Sequence, residues 1–283
     1  MNDEARQLSV SRSGLALAGE QEGEGPALVL VHGLTATRRQ VVHGSRALPR
    51  LGYSTISYDA RGHGASDSPP AGTGYSYTEL VDDLEALVEQ LSPQRRCLIA
   101  GHSMGAHTIA AYALAHADRI AGLALIGPVY AGVPTSEEDL AAWDRLADGL
   151  EQGGVEGFLR AYDHGLDPDW RDTMLRFTRA RLELHDRPGA VAQAIREVPR
   201  SEPFGALPEL EFLELPALLV ASHDEADPSH PYAVAEAWAA RIPGARLVSE
   251  PPGKSPLAWQ GGRLSRELAS FFAQGDVVRR LEE

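Results

Sequence analysis

The fold of this chain is decided by one short stretch, Cys97-Leu98-Ile99-Ala100-Gly101-His102-Ser103-Met104-Gly105. An apolar run stops at Gly-x-Ser-x-Gly and continues into a helical pattern of small residues. We expect a strand, a sharp turn and a helix, with Ser103 at the apex of the turn. Glycine stands at 101 and 105 because a side chain there would collide as the strand folds into the helix. The turn raises the Ser103 hydroxyl above the sheet and aims the N–H of Met104 at whatever binds it.

Composition limits the class of protein. The chain has 283 residues, a formal charge of −14 and a sequence pI of about 5.2. This length allows one large core with a lid, or two small domains, and the acidity argues against nucleic acid as a partner. A single cysteine, Cys97, excludes an internal disulfide and a thiolate metal cluster, and it fits a reducing compartment. Neither a signal peptide nor a membrane span is evident, so we expect a cytoplasmic protein with no membrane partner.

Strand and helix patterns alternate along most of the chain. Apolar, strand-like runs occupy residues 27–31, 53–58, 97–100, 120–126, 216–221 and 246–249, after a predicted edge hairpin near the N-terminus. Helical patterns occupy 36–50, 78–91, 104–117, 231–241 and 262–274. This order predicts an α/β fold with a mostly parallel sheet covered on both faces. Active sites of such sheets lie at the carboxyl ends of the strands, where the chain's motif loops also fall.

From about residue 130 to 215 the strand-like runs vanish and helical periodicity dominates. We interpret this as a helical insertion. The predicted organisation is a core domain of residues 1–129 and 213–283 with a lid of residues 130–212. Two histidines of the lid, His164 and His185, are interpreted as surface residues.

A second motif loop follows the strand at 27–31. Its residues are His32, Gly33 and Leu34. Glycine lets the backbone approach a bound oxygen closely. The N–H groups of Leu34 and Met104 would then form a pair of donors for a developing oxyanion. We interpret His32 as a residue that fixes this loop rather than as a base.

Together these motifs resemble the α/β-hydrolase superfamily, in particular its small lidded esterases, lactonases and haloperoxidase-like members. The matching pieces are His32-Gly33, Asp59-Ala60-Arg61-Gly62-His63-Gly64-Ala65-Ser66, Gly101-His102-Ser103-Met104-Gly105, the insertion after Ile126, and Ser222-His223-Asp224. The resemblance implies an eight-stranded sheet flanked by helices and a nucleophilic Ser103. It also implies a backbone oxyanion hole, an acid after the seventh strand and a histidine after the eighth.

The acid implied by the resemblance is present. Asp224 is the better match to the family's acid loop, with Ser222 where glycine is usual, and Asp227 is the alternative. A structural role is also open for Asp227, since aspartate commonly caps turns and helix starts.

The histidine is absent from its expected place. Lys254 stands there, 30 positions after Asp224, and the sequence has no histidine after His230. A serine hydroxyl is a weak nucleophile without a base. The unperturbed pKa of lysine, near 10.4, leaves it protonated at neutral pH, and a carboxylate nearby would hold it so. We therefore expect an ion pair between Lys254 and Asp224.

The sequence supports hydrolysis of a small carboxylic ester or lactone by non-standard machinery. Ser103, Asp224 and Lys254 are the candidate catalytic residues. His32, His230 or the substrate itself are other candidate proton acceptors.

A protein of the same fold that binds a small ligand without efficient hydrolysis is the alternative. In either case the partner is a small molecule, and His32, Gly33 and His102 are expected at the pocket or its loops. No spacing of histidines and carboxylates resembles a metal site, and no glycine-rich stretch forms a phosphate loop, so no cofactor is implied.

Overall fold

The protein is described here by a computed structural model, which describes residues 5–70, 74–93, 95–223, 227, 229–250 and 259–283. Its centre is a single sheet. The strands are β1 (Arg6–Arg12), β2 (Leu15–Glu22), β3 (Ala27–Val31), β4 (Ser54–Tyr58), β5 (Cys97–His102), β6 (Ile120–Ile126), β7 (Ala217–Val220) and β8 (Arg246–Val248). They lie in the order β1-β2-β4-β3-β5-β6-β7-β8. The predicted eight-stranded α/β-hydrolase sheet is confirmed.

All strand pairs from β4 to β8 are parallel, and β2 runs antiparallel to both β1 and β4. The register places Val29 beside Ile99 and Leu125 beside Leu219. Every residue of β6 is buried. A strand that helices cover on both faces needs apolar side chains on both, which explains its continuous apolar run.

Helices close both faces of the sheet. They are α1 (Ala47–Arg50), α2 (Tyr77–Leu91), α3 (Met104–Ala115), α4 (Glu137–Tyr162), α5 (Arg171–Leu182), α6 (Pro188–Glu197), α7 (Tyr232–Ala239), α8 (Gly261–Phe272) and α9 (Gly275–Glu282). One apolar core joins the sheet to α2, α3 and α7, and a second joins it to α1, α8 and α9. Of the helices in the described ranges, none is both long and apolar enough to cross a bilayer.

The helix predicted over 36–50 is largely wrong. Only Ala47–Arg50 is helical, and residues 38–44 form turns. Thr35 has a φ of +64°, which stops a helix from starting at the end of β3. The N–H groups of Thr37 and Arg38 donate to side chains instead, to Gln40 at 2.7 Å and to Asp59 at 2.8 Å. These contacts hold the segment as a loop.

The insertion is helical, as its periodicity predicts. Helix α4 bends at Gly154, where φ is +58°, and its N-terminus is capped by Ser136, whose hydroxyl accepts from the N–H of Asp139 at 3.1 Å. Helices α4, α5 and α6 share an apolar cluster built around Phe158 and Val191. The exact division of the chain into core and lid remains a prediction.

A buried ion pair joins the loop after β4 to α2. Nε and Nη2 of Arg61 donate to the two carboxylate oxygens of Asp83 at 2.7 Å each, and Nη1 donates to the carbonyl of Gly74 at 2.7 Å. Asp83 is 0% exposed and Arg61 is 5% exposed. A fork-to-fork contact of this kind fixes the loop in one orientation.

We expect Asp83→Asn to lower the free energy of unfolding by about 3 kcal/mol, because it leaves the buried guanidinium of Arg61 without its counter-charge. Urea denaturation measures this. The matched control is Asp82→Asn in the same helix, whose carboxylate is 42% exposed and pairs with Arg12. That exposed pair is worth less than about 1 kcal/mol. Equal losses in the two variants would contradict a dominant role for the buried pair.

Candidate active site

Ser103 occupies a strained turn between β5 and α3. Its backbone lies at φ +53° and ψ −116°, in the left-handed half of conformational space that costs a non-glycine residue on the order of 1–3 kcal/mol. Its N–H donates to the carbonyl of Ile126 at 2.9 Å, and its carbonyl accepts from the N–H of His107 at 3.1 Å. These bonds hold the turn against the strain, and the side chain of Ser103 stays partly exposed.

The two glycines of the motif are required by close packing. A β-carbon on Gly101 would lie 2.4 Å from the carbonyl oxygen of Gly105. One on Gly105 would lie 2.1 Å from the carbonyl oxygen of Val31, at the end of β3. Either contact is far inside van der Waals distance. Hence the start of α3 can rest against β3 and β5 only without side chains at these positions.

Two backbone N–H groups beside Ser103 are free. In the described part of the chain, the N–H groups of Leu34 and Met104 donate no hydrogen bond to any group. Leu34 packs against the apolar cluster that contains Met104. The loop that carries Leu34 comes close to the serine, since a β-carbon on Gly33 would lie 3.2 Å from Cβ of Ser103. Free paired donors at this place suit a developing oxyanion.

His32 fixes the loop that carries Leu34. Its Nδ1–H donates to the carbonyl of Gly33 at 2.8 Å, and its Nε2 accepts from the N–H of Ala60 at 2.9 Å. Burial lowers the pKa of His32, against the opposing charge of Asp59. With both ring nitrogens engaged, His32 has no nitrogen left to act as a base.

His185 ties the helical insertion to this loop. Its Nε2–H donates to the carbonyl of Thr35 at 3.0 Å, and its Nδ1 accepts from the N–H of Gly64 at 2.9 Å. The residue is 7% exposed, so its interpretation as a surface residue is wrong. Burial lowers the pKa of His185 to about 4, which keeps the ring neutral and able to accept at Nδ1. In the sequence, the presence of a histidine at this position does not indicate that it makes this contact.

An aspartate–histidine pair follows β7. His230 donates from Nδ1 to Oδ2 of Asp227 at 2.7 Å, and Ser229 donates to the other carboxylate oxygen. Burial raises the pKa of Asp227, but the charge and hydrogen bond of His230 lower it by more, so the carboxylate stays ionised. Nε2 of His230 is buried and has no hydrogen-bond partner among the described residues. In the neutral ring, whose Nδ1 carries the proton, this nitrogen is an acceptor without a described partner.

The turn at residues 101–105, which carries Ser103, is called the elbow below. The ring of His230 lies beside this elbow, where β5, β6 and β7 end. Its centroid is 5.1 Å from that of His102, which precedes Ser103. A β-carbon on Gly127 would lie 3.2 Å from Cδ2 of His230 and 3.6 Å from Nε2 of His102. Gly127 in turn follows Ile126, whose carbonyl accepts from Ser103. The Asp227–His230 pair thus lies next to the turn that carries Ser103.

A cavity of about 130 Å³ opens at the same edge of the sheet. His102, Asp227 and His230 line it, together with Trp259, whose Nε1–H donates to the carbonyl of Ala221 at 2.6 Å. Ser103 is not among its described lining residues. Burial lowers the pKa of His102 well below its usual range, and the nearby His230 adds to this. The described lining is therefore mostly neutral and apolar, with Asp227 as its charged member.

Two residues predicted from the sequence, Asp224 and Lys254, lie outside the described residues, so their predicted ion pair stays a prediction. The structure brings Ser103, Leu34, Met104, His32, Gly33 and His102 together at one sheet edge. Within the described part of the chain, no group of three histidines, cysteines or carboxylates could hold a metal ion.

A family model described as the alpha/beta hydrolase fold matches residues 26–261. The chain belongs to the α/β-hydrolase fold family. The match begins just before β3 and ends at the start of α8, so it includes the turn at Ser103, the loop that carries Leu34 and the whole insertion.

The chain is similar to hydrolases of known structure. An esterase from Thermogutta terrifontis superposes with a TM-score of 0.76 at 24% identity, covering 95% of this chain and 98% of that one. The enol-lactonase of Burkholderia xenovorans LB400 superposes with a TM-score of 0.75 at 24% identity, covering 94% and 100%. At these identities, the likeness shows the shared fold.

Among curated proteins, a putative 2-succinyl-6-hydroxy-2,4-cyclohexadiene-1-carboxylate synthase of Bacillus subtilis (strain 168) is 30% identical over 153 residues. That stretch is 53% of this chain and 54% of the relative. The chain spans about half, or less, of the length of the curated relatives that it matches.

We expect the free energy of unfolding to depend on pH through His185. Its folded pKa, about 4, lies below the ordinary value near 6.5, so the unfolded chain binds a proton more readily. The stability from its neutral ring is complete above pH 6.5 and is lost as pH falls toward 4, by up to about 3 kcal/mol. Accordingly, His185→Gln should lower the free energy of unfolding most at pH 7.5 and much less at pH 4.5.

Urea denaturation of the parent protein and of His185→Gln at several pH values measures this difference. The control is His164→Gln in the same insertion, an exposed residue whose replacement should change stability by less than about 0.5 kcal/mol at every pH. A penalty for His185→Gln that stays constant from pH 7.5 to 4.5 would contradict the assignment of a neutral, buried ring.

Proposed function

We propose that this protein hydrolyses a small carboxylic ester or lactone through Ser103. One observation carries the proposal: a strained turn raises the serine beside two free N–H groups, those of Leu34 and Met104. A nucleophile and a paired oxyanion donor are the two parts that acyl transfer requires. Esterases and a lactonase among the structural relatives agree with this chemistry.

In this proposal the oxygen of Ser103 attacks the carbonyl carbon of the substrate while its proton passes to a base. The carbonyl oxygen becomes an oxyanion and accepts from the N–H groups of Leu34 and Met104. Loss of one such donor costs around 3 kcal/mol of barrier. Collapse of this intermediate breaks the bond to the alkoxy oxygen, which takes the proton from the base and leaves an acyl-serine; an ester loses its alcohol, and a lactone keeps the new hydroxyl on its acyl group. Water then gives a proton to the base and attacks the acyl-serine, and the same two N–H groups bind the new oxyanion. Its collapse releases the acid as the base returns the proton to the oxygen of Ser103.

His230 is the proposed base. Its Nδ1–H is held by the carboxylate of Asp227, which fixes the tautomer that leaves Nε2 free to take a proton. No described residue forms a hydrogen bond with that nitrogen, so it is available to Ser103. Lys254, with Asp224, remains the competing candidate from the sequence, although a lysine near a carboxylate tends to stay protonated.

Ligand binding without hydrolysis is the second candidate. It is favoured by the cavity of about 130 Å³, because His102 and His230 line it whereas Ser103 is not among its described lining residues. A small molecule held there would contact His102 and His230 without contacting the hydroxyl of Ser103. In this case Ser103 would have only a structural part in the site.

A fluorophosphonate probe tests the nucleophile. We expect mass spectrometry to find one adduct on the parent protein, located by peptide mapping at Ser103, and none on Ser103→Ala. We also expect Ser103→Ala to lower kcat for 4-nitrophenyl acetate by at least about 10³-fold, because the acyl-enzyme cannot form. Labelling at another residue, or equal turnover by both proteins, would argue for the ligand-binding candidate.

Matched variants test the base. We expect His230→Ala to lower kcat/KM for the same ester by about 10³-fold or more, because the serine loses its proton acceptor. Asp227→Asn should lower it less, since the tautomer is disturbed but a nitrogen remains. Lys254→Met, and His223→Ala from the same loop, should each change it less than about threefold. Loss of activity in Lys254→Met with His230→Ala unaffected would assign the role to Lys254 instead.

A further inference from the structure

One arginine of the insertion differs from its neighbours. Within the described residues, the side chain of Arg181 makes no hydrogen bond or salt bridge, and its Nε is buried without a partner. Several other arginines of the insertion form surface ion pairs: Arg171 with Asp163, Arg179 with Glu156, Arg196 with Asp148 and Glu151, and Arg200 with Asp144. Among the described residues, Arg145, Arg160 and Arg176 also form no ion pair, but they are exposed, whereas Arg181 is partly buried and therefore needs an explanation of its own.

Arg181 lies in the last turn of α5. The next residue, Leu182, is 1% exposed in the core of the insertion. One turn further on, His185 donates to the carbonyl of Thr35 in the oxyanion loop. This anchor fixes the end of α5 against the loop that carries Leu34. The side chain of Arg181 remains partly accessible, so a ligand can reach it.

The electrostatic surroundings of Arg181 belong to the site. Burial lowers the pKa of Arg181, and the charges of Tyr162 and Asp227 oppose this. Burial is the largest cause of the low pKa of His102 and of His185, and the charge of Arg181 lowers both pKa values further. The guanidinium thus lies within electrostatic range of the elbow, the oxyanion loop and the loop after β7.

Asp227 does not neutralise Arg181 by direct contact. One of its carboxylate oxygens accepts from His230 and the other from Ser229. No salt bridge joins Asp227 to Arg181. The histidines nearby are neutral, because burial lowers the pKa of His102 and of His185. Among the described residues, the guanidinium of Arg181 therefore has no hydrogen-bond acceptor, and its Nε–H is buried.

A partly buried cation without a counter-ion is costly to the fold, and the cost falls when an anion binds beside it. We infer that Arg181 binds the carboxylate of the substrate, so that the preferred substrate is an ester or lactone that also carries a free carboxylate. The inference rests on the proposed function, because it takes the bound molecule to be a substrate. The binding of a carboxylate beside Arg181 does not depend on Ser103 being reactive.

The geometry of the guanidinium favours a carboxylate. Arg181 can donate two parallel hydrogen bonds to the two oxygens of one carboxylate, a pairing that lysine cannot make. Its single charge matches a single anionic group. Held there, the substrate would present its ester carbonyl to Ser103 and to the N–H groups of Leu34 and Met104. The charge would thereby both select and orient the substrate.

Two activated esters test the inference: mono(4-nitrophenyl) succinate, which carries a carboxylate, and 4-nitrophenyl butyrate, which is of similar length and neutral. We expect kcat/KM of the parent protein to be at least tenfold higher for the succinate. In Arg181→Met that ratio should fall by at least tenfold, and in Arg181→Lys by less. The matched control is Arg176→Met, an exposed residue of the same helix, which should leave the ratio unchanged.

A binding measurement separates the two proposals. On Ser103→Ala, calorimetry should show that monomethyl succinate binds more tightly than methyl butyrate, and that Arg181→Met removes the difference. Binding of this kind without hydrolysis by the parent protein would overturn the proposed function and keep the anion site. Hydrolysis of both esters with no preference for the anion, or equal ratios in Arg181→Met and Arg176→Met, would overturn the anion site.

Thermal unfolding shows whether Arg181→Met is folded. We expect its Tm to equal or exceed that of the parent protein, because methionine fills the space without burying an unpaired charge. Monomethyl succinate should raise the Tm of the parent protein and leave that of Arg181→Met unchanged. A lower Tm for Arg181→Met without ligand would indicate that Arg181 stabilises the fold itself, which contradicts the inference.

Discussion

The site depends on one steric constraint: the close approach of α3 to the ends of β3 and β5. The missing side chains of Gly101 and Gly105 allow this approach, and it forces Ser103 into its left-handed conformation. It also brings the first N–H of α3 beside the loop after β3, so that donors from two elements distant in sequence lie close together. The strain, the raised hydroxyl and the two donors are consequences of the same packing, and they would be lost together if either glycine gained a side chain.

The features that could be predicted well from the sequence depend on patterns among neighbouring residues. The strands, the insertion and the elbow follow from apolar runs, periodicity and glycine spacing, which act over a few residues. The failures came from contacts across the fold. Residues 36–44 form a loop because Asp59, far along the chain, binds the N–H of Arg38. His185 was misjudged because its partners, Thr35 and Gly64, are more than a hundred residues away. No local pattern encodes such partners.

Several polar groups around the site have no hydrogen-bond partner among the described residues. These are the N–H groups of Leu34 and Met104, Nε2 of His230 and Nε of Arg181. An unsatisfied buried polar group costs on the order of 1–3 kcal/mol, so a fold selected only for stability would remove them. Their collection at one edge of the sheet is what a binding or catalytic site looks like before its ligand arrives. The pairing of His230 with Asp227 is different, because both residues sit in one loop and orient each other locally.

The contact of His185 has a consequence for engineering. Exchange of caps between members of this fold is an obvious route to new substrate ranges, since the insertion lies over the site as a continuous piece of chain. Here, however, the cap supplies the hydrogen-bond partners of the Thr35 carbonyl and the Gly64 N–H. A transplanted cap without a neutral imidazole at this place would leave both groups unpaired beneath it. The loop that holds Leu34 would then be free to shift, and a change meant to alter selectivity would alter reactivity instead.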